Sequence, residues 1–390
     1  MTWSIKNKIA PIVQAIPPSG IRRYFDLIAT TKGIISLGVG EPDFVTPWHI
    51  RDEAIYSLER GYTVYTSNAG MPELREEISK YLKRTIGISY EAEGEVLVTV
   101  GASEAVDLAI RSLITPGDEA LVPEPCYVSY QPCVSLSGGI PVPVETRVEN
   151  EFKLRAEDLA KKITPKSKVL ILSYPNNPTG GIMTYEDYLP IAQLVEEHDL
   201  VVISDEIYSE LTYVGEHVSF ASLPGMKERT IVINGFSKAF AMTGLRIGYA
   251  AGPFDVIAAM TKIHQYTMLC APITAQIGAI EALRHGEEAK ANMVSQYDKR
   301  RRLIVDGLNT LGLTCFEPRG AFYAFPSVES TGLSAEEFTE RLILEAKVAV
   351  VPGTAFGSSG AGHIRCSYAA SLENITEALE RIESFLKKIK

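Results

Sequence analysis

Gly235-Phe236-Ser237-Lys238-Ala239-Phe240-Ala241-Met242-Thr243-Gly244-Leu245-Arg246-Ile247-Gly248 is the stretch that decides how this chain is read. It follows Thr230-Ile231-Val232-Ile233-Asn234, an apolar run of the kind that forms a buried strand in a parallel sheet. A lysine beside a serine hydroxyl therefore sits just past a strand end, with an arginine eight residues later. An amine that is to form a Schiff base needs such a fixed perch. A phosphate held next to it needs a hydroxyl, backbone N–H groups and a guanidinium fork. Alone, Lys238 would read as a solvated surface lysine, the fate of most lysines. The rest of the chain argues otherwise.

Ligands of α/β sheets bind outside the carboxyl ends of strands, and further notable residues fall there. Gly101-Ala102-Ser103 ends the strand Val96-Leu97-Val98-Thr99-Val100 and opens a helix, whose free N–H groups and dipole suit a phosphate. The plain alternative is a serine cap. Pro175-Asn176-Asn177-Pro178-Thr179-Gly180 follows a second strand and presents an amide between two prolines, or is simply a turn. Ser204-Asp205-Glu206-Ile207-Tyr208 ends a third. A pyridine nitrogen stays protonated, and so withdraws electrons, only with a carboxylate paired to it; Asp205 is placed for that, and Tyr208 for a ring hydroxyl. In His363-Ile364-Arg365-Cys366-Ser367, strand alternation puts Arg365 opposite Ile364 and Cys366, and a guanidinium is the natural partner of a substrate carboxylate. Singly, these residues read as a helix cap and an interdomain salt bridge. Together, in this order, they are the equipment for pyridoxal phosphate, the electron sink of amino-acid chemistry. Neither nucleotide-binding glycine fingerprint competes.

At 390 residues the chain calls for two domains. Its 46% hydrophobic and 22% charged content is that of a globular enzyme, and a net charge of -10 argues against nucleic acid or an anionic membrane as partner. No run is long enough for a membrane span, and Met1-Thr2-Trp3-Ser4-Ile5-Lys6 lacks the pattern of a signal peptide. Five cysteines without Cys-x-x-Cys pairing suit a reducing cytoplasm, and the six histidines show no metal-ligand spacing, so no metal is expected.

Helix and strand signals alternate from about residue 45 to 290, which predicts a mostly parallel sheet covered on both faces. Leu74, Ile78, Tyr81 and Leu82 mark a helix from Pro72 to Gly87. Strands are expected at 96–100, 168–173, 200–204 and 230–233, and helices at 103–113 and 185–197, the latter with Leu189, Ala192 and Val195 inward. A long charged helix through Arg300-Arg301-Arg302 reads as a solvated face. Short strands at 321–325, 348–351 and 363–367, with helices at 335–345 and 372–387, predict a second, smaller α+β domain. The division is 46–290 for the large domain, and 1–45 with 291–390 for the small one.

With these residues in place, the chain resembles the fold-type I pyridoxal-phosphate aminotransferases (class I/II), closest to the prokaryotic aspartate and aromatic group. Gly38-Val39-Gly40-Glu41-Pro42-Asp43-Phe44 and Tyr65-Thr66-Ser67-Asn68-Ala69-Gly70 carry the resemblance too, which runs from about Ser19-Gly20-Ile21-Arg22 to the last helix. It implies the fold-type I architecture, a seven-stranded-type sheet plus a smaller α+β domain. It implies that Lys238 forms the internal aldimine and shuttles the proton between Cα and C4′, with Asp205 on the pyridine N–H and Asn177 and Tyr208 on the ring oxygen. The Ala102 and Ser103 backbone, Ser237 and Arg246 would hold the phosphate, and Tyr127 would stack on the ring. Tyr65 would reach the neighbouring subunit's phosphate, making a homodimer with shared sites. Arg365, helped by the Gly40 N–H and adjoining Asn177, would bind the α-carboxylate. The implied reaction is ping-pong transfer of an amino group from an L-amino acid to a 2-oxo acid such as 2-oxoglutarate.

Several aspartate-specific relatives carry lysine where Ser103 stands, while the Gly320-Ala321-Phe322-Tyr323 stretch is shared with aromatic aminotransferases. Use of both aromatic and acidic amino acids is therefore expected. Alanine and N-acetyl-diaminopimelate aminotransferases look similar, and a carbon–sulfur lyase would present the same site. A DNA-binding sensor of related fold is opposed by the net charge and by the lack of a preceding helix-turn-helix.

Overall fold

The computed structural model describes residues 5–18, 20–21, 24 and 32–389. Ser19 and Arg22, part of the resemblance, and the first four residues lie outside these.

Seven strands form the central sheet: β2 (Val96–Thr99), β3 (Glu119–Glu124), β4 (Ile140–Glu145), β5 (Ser167–Ser173), β6 (Val201–Asp205), β7 (Thr230–Gly235) and β8 (Gly248–Ala251), preceded in the chain by the short β1 (Ile35–Ser36). Their order is β2-β8-β7-β6-β5-β3-β4. From β4 to β7 every pair is parallel, while β8 runs antiparallel to both β7 and β2. The sheet is thus mostly parallel, as expected, with one reversed strand. Strands β5, β6 and β7 are buried almost throughout, so they read as continuous apolar runs rather than alternating ones. The strand order reverses between β3 and β5, which opens a crevice at the carboxyl edge.

The helix Pro72–Ile86 follows its pattern. Proline sits at its first turn, Gly87 closes it at φ 75°, and Leu74, Ile78, Tyr81 and Leu82 are buried. The helix Tyr185–Glu197 starts on a capping box between Thr184 and Asp187. Its inward residues are Tyr188, Ile191, Ala192 and Val195; Leu189, expected inward, is exposed because the buried stripe lies one residue earlier.

A second packed region follows the 24-residue helix Glu287–Thr310. There β9 (Tyr323–Ala324), β11 (Val351–Pro352) and β12 (Ile364–Ser367) form an antiparallel sheet, while β10 (Val348–Ala349) pairs with β1. The expected strand at 348–351 therefore splits between two sheets. The helix Ala335–Arg341 continues as a π-turn over Leu342–Ala346. The expectation of a solvated arginine face fails for two of three residues. Arg300 and Arg301 are 7% and 4% exposed, because Asp43 pairs with the first at 2.6 Å, and Asp298 and Glu317 with the second. Arg302 alone is exposed.

Among the described residues, no helix is long and apolar enough to cross a membrane, and no cluster of His, Cys, Asp or Glu could hold a metal ion.

Candidate active site

The carboxyl ends of β5, β6 and β7, the helix opening at Ala102 and residues of β9 and β12 enclose a cavity of about 420 Å³. Lys238, Asp205, Tyr208, Asn177, Arg246 and Arg365 all line it. So do Ser237, Ala102, Ser103, Tyr127 and Gly40. Of the site residues read from sequence only Tyr65 stands outside, 80% exposed on its own chain.

Lys238 lies past β7 and donates from Nζ to the Gly40 carbonyl at 2.7 Å. Burial penalises its ammonium and lowers its pKa from 10.5 to about 8; nearby Arg365 and Arg246 add to this, and Glu41 opposes it. The neutral amine, which is the nucleophile, is therefore within easy reach of physiological pH.

Asp205 ends β6 and is 5% exposed. Burial raises its pKa from 3.8 to about 6, although two donors support the carboxylate. The hydroxyl of Tyr130 donates to Oδ2 at 2.7 Å, and the Ile207 N–H to Oδ1 at 3.2 Å. Lys238 also favours the charged form, and a buried carboxylate held this way is a ready partner for a further cation.

The anion cup lies opposite. The helix Ala102–Leu113 starts on Gly101 at φ 78°, and the Ala102 and Ser103 N–H groups precede its first bond, from the Glu104 N–H to the Gly101 carbonyl at 3.2 Å. A side chain at position 101 would collide with Nη2 of Arg246, so glycine there lets the guanidinium close on the cup. Arg246 itself has φ 52°, a conformation costly for a non-glycine residue, and donates to the Thr243 carbonyl at 3.0 Å.

Arg365 projects from β12 and is 3% exposed. Its Nη1 donates to Asn177 Oδ1 at 2.9 Å and its Nη2 to the Gly38 carbonyl at 2.7 Å, while its buried Nε has no acceptor. Its carbon Cζ lies 4.4 Å from the Tyr323 ring and 4.7 Å from Phe356. A guanidinium so held, with one donor unspent, is prepared for a carboxylate.

Tyr130 and Tyr323 also line the cavity and are given no role by the sequence reading. Tyr130 opens the helix Tyr130–Leu136, its N–H donates to the Tyr127 carbonyl at 3.3 Å across a turn, and the two rings meet edge to face at 5.6 Å. Tyr323 falls in the Gly320–Tyr323 stretch, and its hydroxyl lies 2.7 Å from that of Tyr208.

The fold and this cavity define a class: α/β proteins with a lysine-centred site at the carboxyl edge of a mixed seven-stranded sheet. Residues 32–382 match the model of the aminotransferase class I and II family, and the chain belongs to that family. It is 54% identical over 380 residues to the YugH protein of Bacillus subtilis (strain 168), across 97% of this chain and 98% of that one. To the aspartate aminotransferase of Pyrococcus abyssi it is 47% identical over 378 residues, across 96% and 97%. The crystal structure of an aromatic aminotransferase from Pyrococcus horikoshii matches with a TM-score of 0.90 at 45% identity, covering 94% of this chain and 99% of that one.

Proposed function

We propose that the protein is a pyridoxal-phosphate-dependent transaminase that moves the amino group of an aromatic or acidic L-amino acid to a 2-oxo acid such as 2-oxoglutarate. One observation carries this: Lys238, Asp205, Tyr208, Arg246 and Arg365 converge on a single cavity from segments far apart in the chain. The residues present fit the cofactor. The Ala102 and Ser103 N–H groups, the Ser237 hydroxyl and Arg246 would hold its phosphate, Asp205 its ring nitrogen, Asn177 and Tyr208 its ring oxygen, and Tyr127 would cover the ring. When bound, pyridoxal phosphate supplies an electron sink for charge that develops at the substrate's α-carbon.

The chain's own residues do the rest. Lys238 Nζ anchors the cofactor, then as a free amine takes the α-proton and returns it. Arg365 exchanges its internal acceptors for the α-carboxylate, with the Gly40 N–H beside it. Lys238, Arg246 and Arg365 each have a partner in this scheme. This supports an apolar or aromatic substrate side chain at least as well as an acidic one.

Residues 46–290 form the large domain in this reading, and 1–45 with 291–390 the small one. The pairing of β1 with β10 supports that division. The working unit is a homodimer in which Tyr65 reaches the partner's phosphate. Support comes from large apolar side chains left exposed, Trp48 at 61%, Val64 at 69% and Tyr266 at 84%. Light scattering is expected to give twice the chain mass of 42.7 kDa; a monomer would refute the shared site. Free thiols at all five cysteines support a cytoplasmic setting.

The test is the absorbance of the protein loaded with pyridoxal phosphate, before and after single amino acids without an acceptor. Conversion to the pyridoxamine form by Phe, Tyr, Asp or Glu is expected. Release of pyruvate and ammonia instead would identify a lyase and overturn the proposal. Arg365→Ala is expected to raise KM for amino and oxo acids by roughly 30- to 100-fold, the loss of two charge-assisted hydrogen bonds. An unchanged KM would remove Arg365 from carboxylate binding.

A further inference from the structure

Tyr323 stands between the two groups on which substrate capture and cofactor electronics turn. It lies on β9 and is 1% exposed. Its ring supports Arg365 of the neighbouring strand β12 at 4.4 Å, a diagonal cross-strand contact set by the pairing of Ser367 with Tyr323. Its hydroxyl meets that of Tyr208 at 2.7 Å. A side chain on Gly40 would run into this same hydroxyl, so the Gly40 backbone closes over it. Burial raises the pKa of both phenols, so each keeps its single proton at neutral pH.

Two phenols with one proton each cannot both donate to the other. If Tyr208 donates to the cofactor's ring oxygen, Tyr323 must donate to Tyr208. A donor chain of this kind polarises its members and strengthens the terminal donor. We propose that Tyr323 is a positioning residue that couples the substrate carboxylate site to the cofactor's ring oxygen. Its hydroxyl sets the donor strength of Tyr208, and its ring sets the plane of Arg365. This rests on the cofactor reading above.

Two substitutions separate the two contacts. Tyr323→Phe keeps the ring and removes the hydroxyl. A weaker donor leaves the ring oxygen more basic, so the pH midpoint of the bound cofactor's visible band should rise by roughly half a unit. The amino-acid KM should stay at the wild-type value and kcat should fall. Tyr323→Leu removes both contacts, so KM should also rise about 3- to 10-fold, as expected for a lost cation–π support. A Tyr323→Phe midpoint that stays put or moves down overturns the inference, as does a Tyr323→Phe KM raised as far as that of the leucine variant. A merely structural role would lower the melting temperature without moving the midpoint, and counts against it. Wild-type protein is run alongside. If it fails to bind pyridoxal phosphate or to convert it with any amino acid, the functional reading itself falls. If it succeeds and Tyr323→Phe behaves like it, only this inference falls.

Discussion

Lys238→Ala is expected to lose transamination by on the order of 10⁴-fold or more, while the protein still folds and retains pyridoxal phosphate non-covalently. The size follows from the two roles proposed for one amine. Lys238 is the only lysine among the described residues lining the cavity, so no neighbour can replace it as anchor or as proton carrier. Retention of the cofactor follows because the groups proposed to hold its phosphate, at the start of the helix Ala102–Leu113 and at Arg246, are untouched. The chemistry also has a pH signature. Burial lowers the lysine pKa to about 8, so the amine is protonated and unreactive below that value and free above it. The rate at which apo-protein attaches pyridoxal phosphate should rise with pH through a midpoint near 8, well below the 10.5 of an unperturbed lysine. Borohydride reduction followed by mass measurement reads the attachment directly. A variant that keeps turnover within tenfold of wild type, or that is still labelled, would remove Lys238 from the centre of the scheme.

Much of this cavity was legible because parallel strands announce themselves. β5, β6 and β7 are unbroken apolar runs, and the polar residues that follow them are thereby fixed at one edge of one sheet. Strands without that signal went unread. β8 is Gly-Tyr-Ala-Ala, without a β-branched residue, and β4 carries Pro141 and Pro143, which an edge strand tolerates. Arg300 reads as solvated since Asp43, the acid that pairs with it, lies 257 residues away. Tyr130 and Tyr323 are core aromatics by burial, each 1% exposed. What gives them a part in the site is a hydroxyl directed at a partner far along the chain, 75 residues away for Asp205 and 115 for Tyr208. Local pattern reports burial; it does not report which buried polar atoms meet.

Asp205→Asn separates function from stability more sharply than any other change in the cavity. The carboxylate is buried with donors from Tyr130 and Ile207. Its pKa, about 6 against 3.8 when unfolded, means that the folded state holds more protons than the unfolded one between those values. Stability contributed by this group therefore falls as pH rises through that window, and above about 6 the buried charge is a fixed cost. Asparagine keeps the shape and can still accept from Tyr130, but it carries no charge. The apo variant is thus expected to melt at or above the wild-type temperature at pH 7.5, and to lose that advantage at pH 4. Activity should move the other way. A neutral amide cannot hold a proton on the ring nitrogen, so the electron sink weakens and kcat is expected to fall on the order of 10²- to 10³-fold. Binding of pyridoxal phosphate should stabilise the variant less than the wild type, because the charge pair that offsets the buried carboxylate no longer forms. Scanning calorimetry of apo and loaded forms at both pH values, beside single-turnover rates, reads all of this. A wild-type rate in the variant would show that Asp205 does not hold the ring nitrogen. A variant that is slower but also less stable without cofactor would mean that Asp205 is there to support the fold.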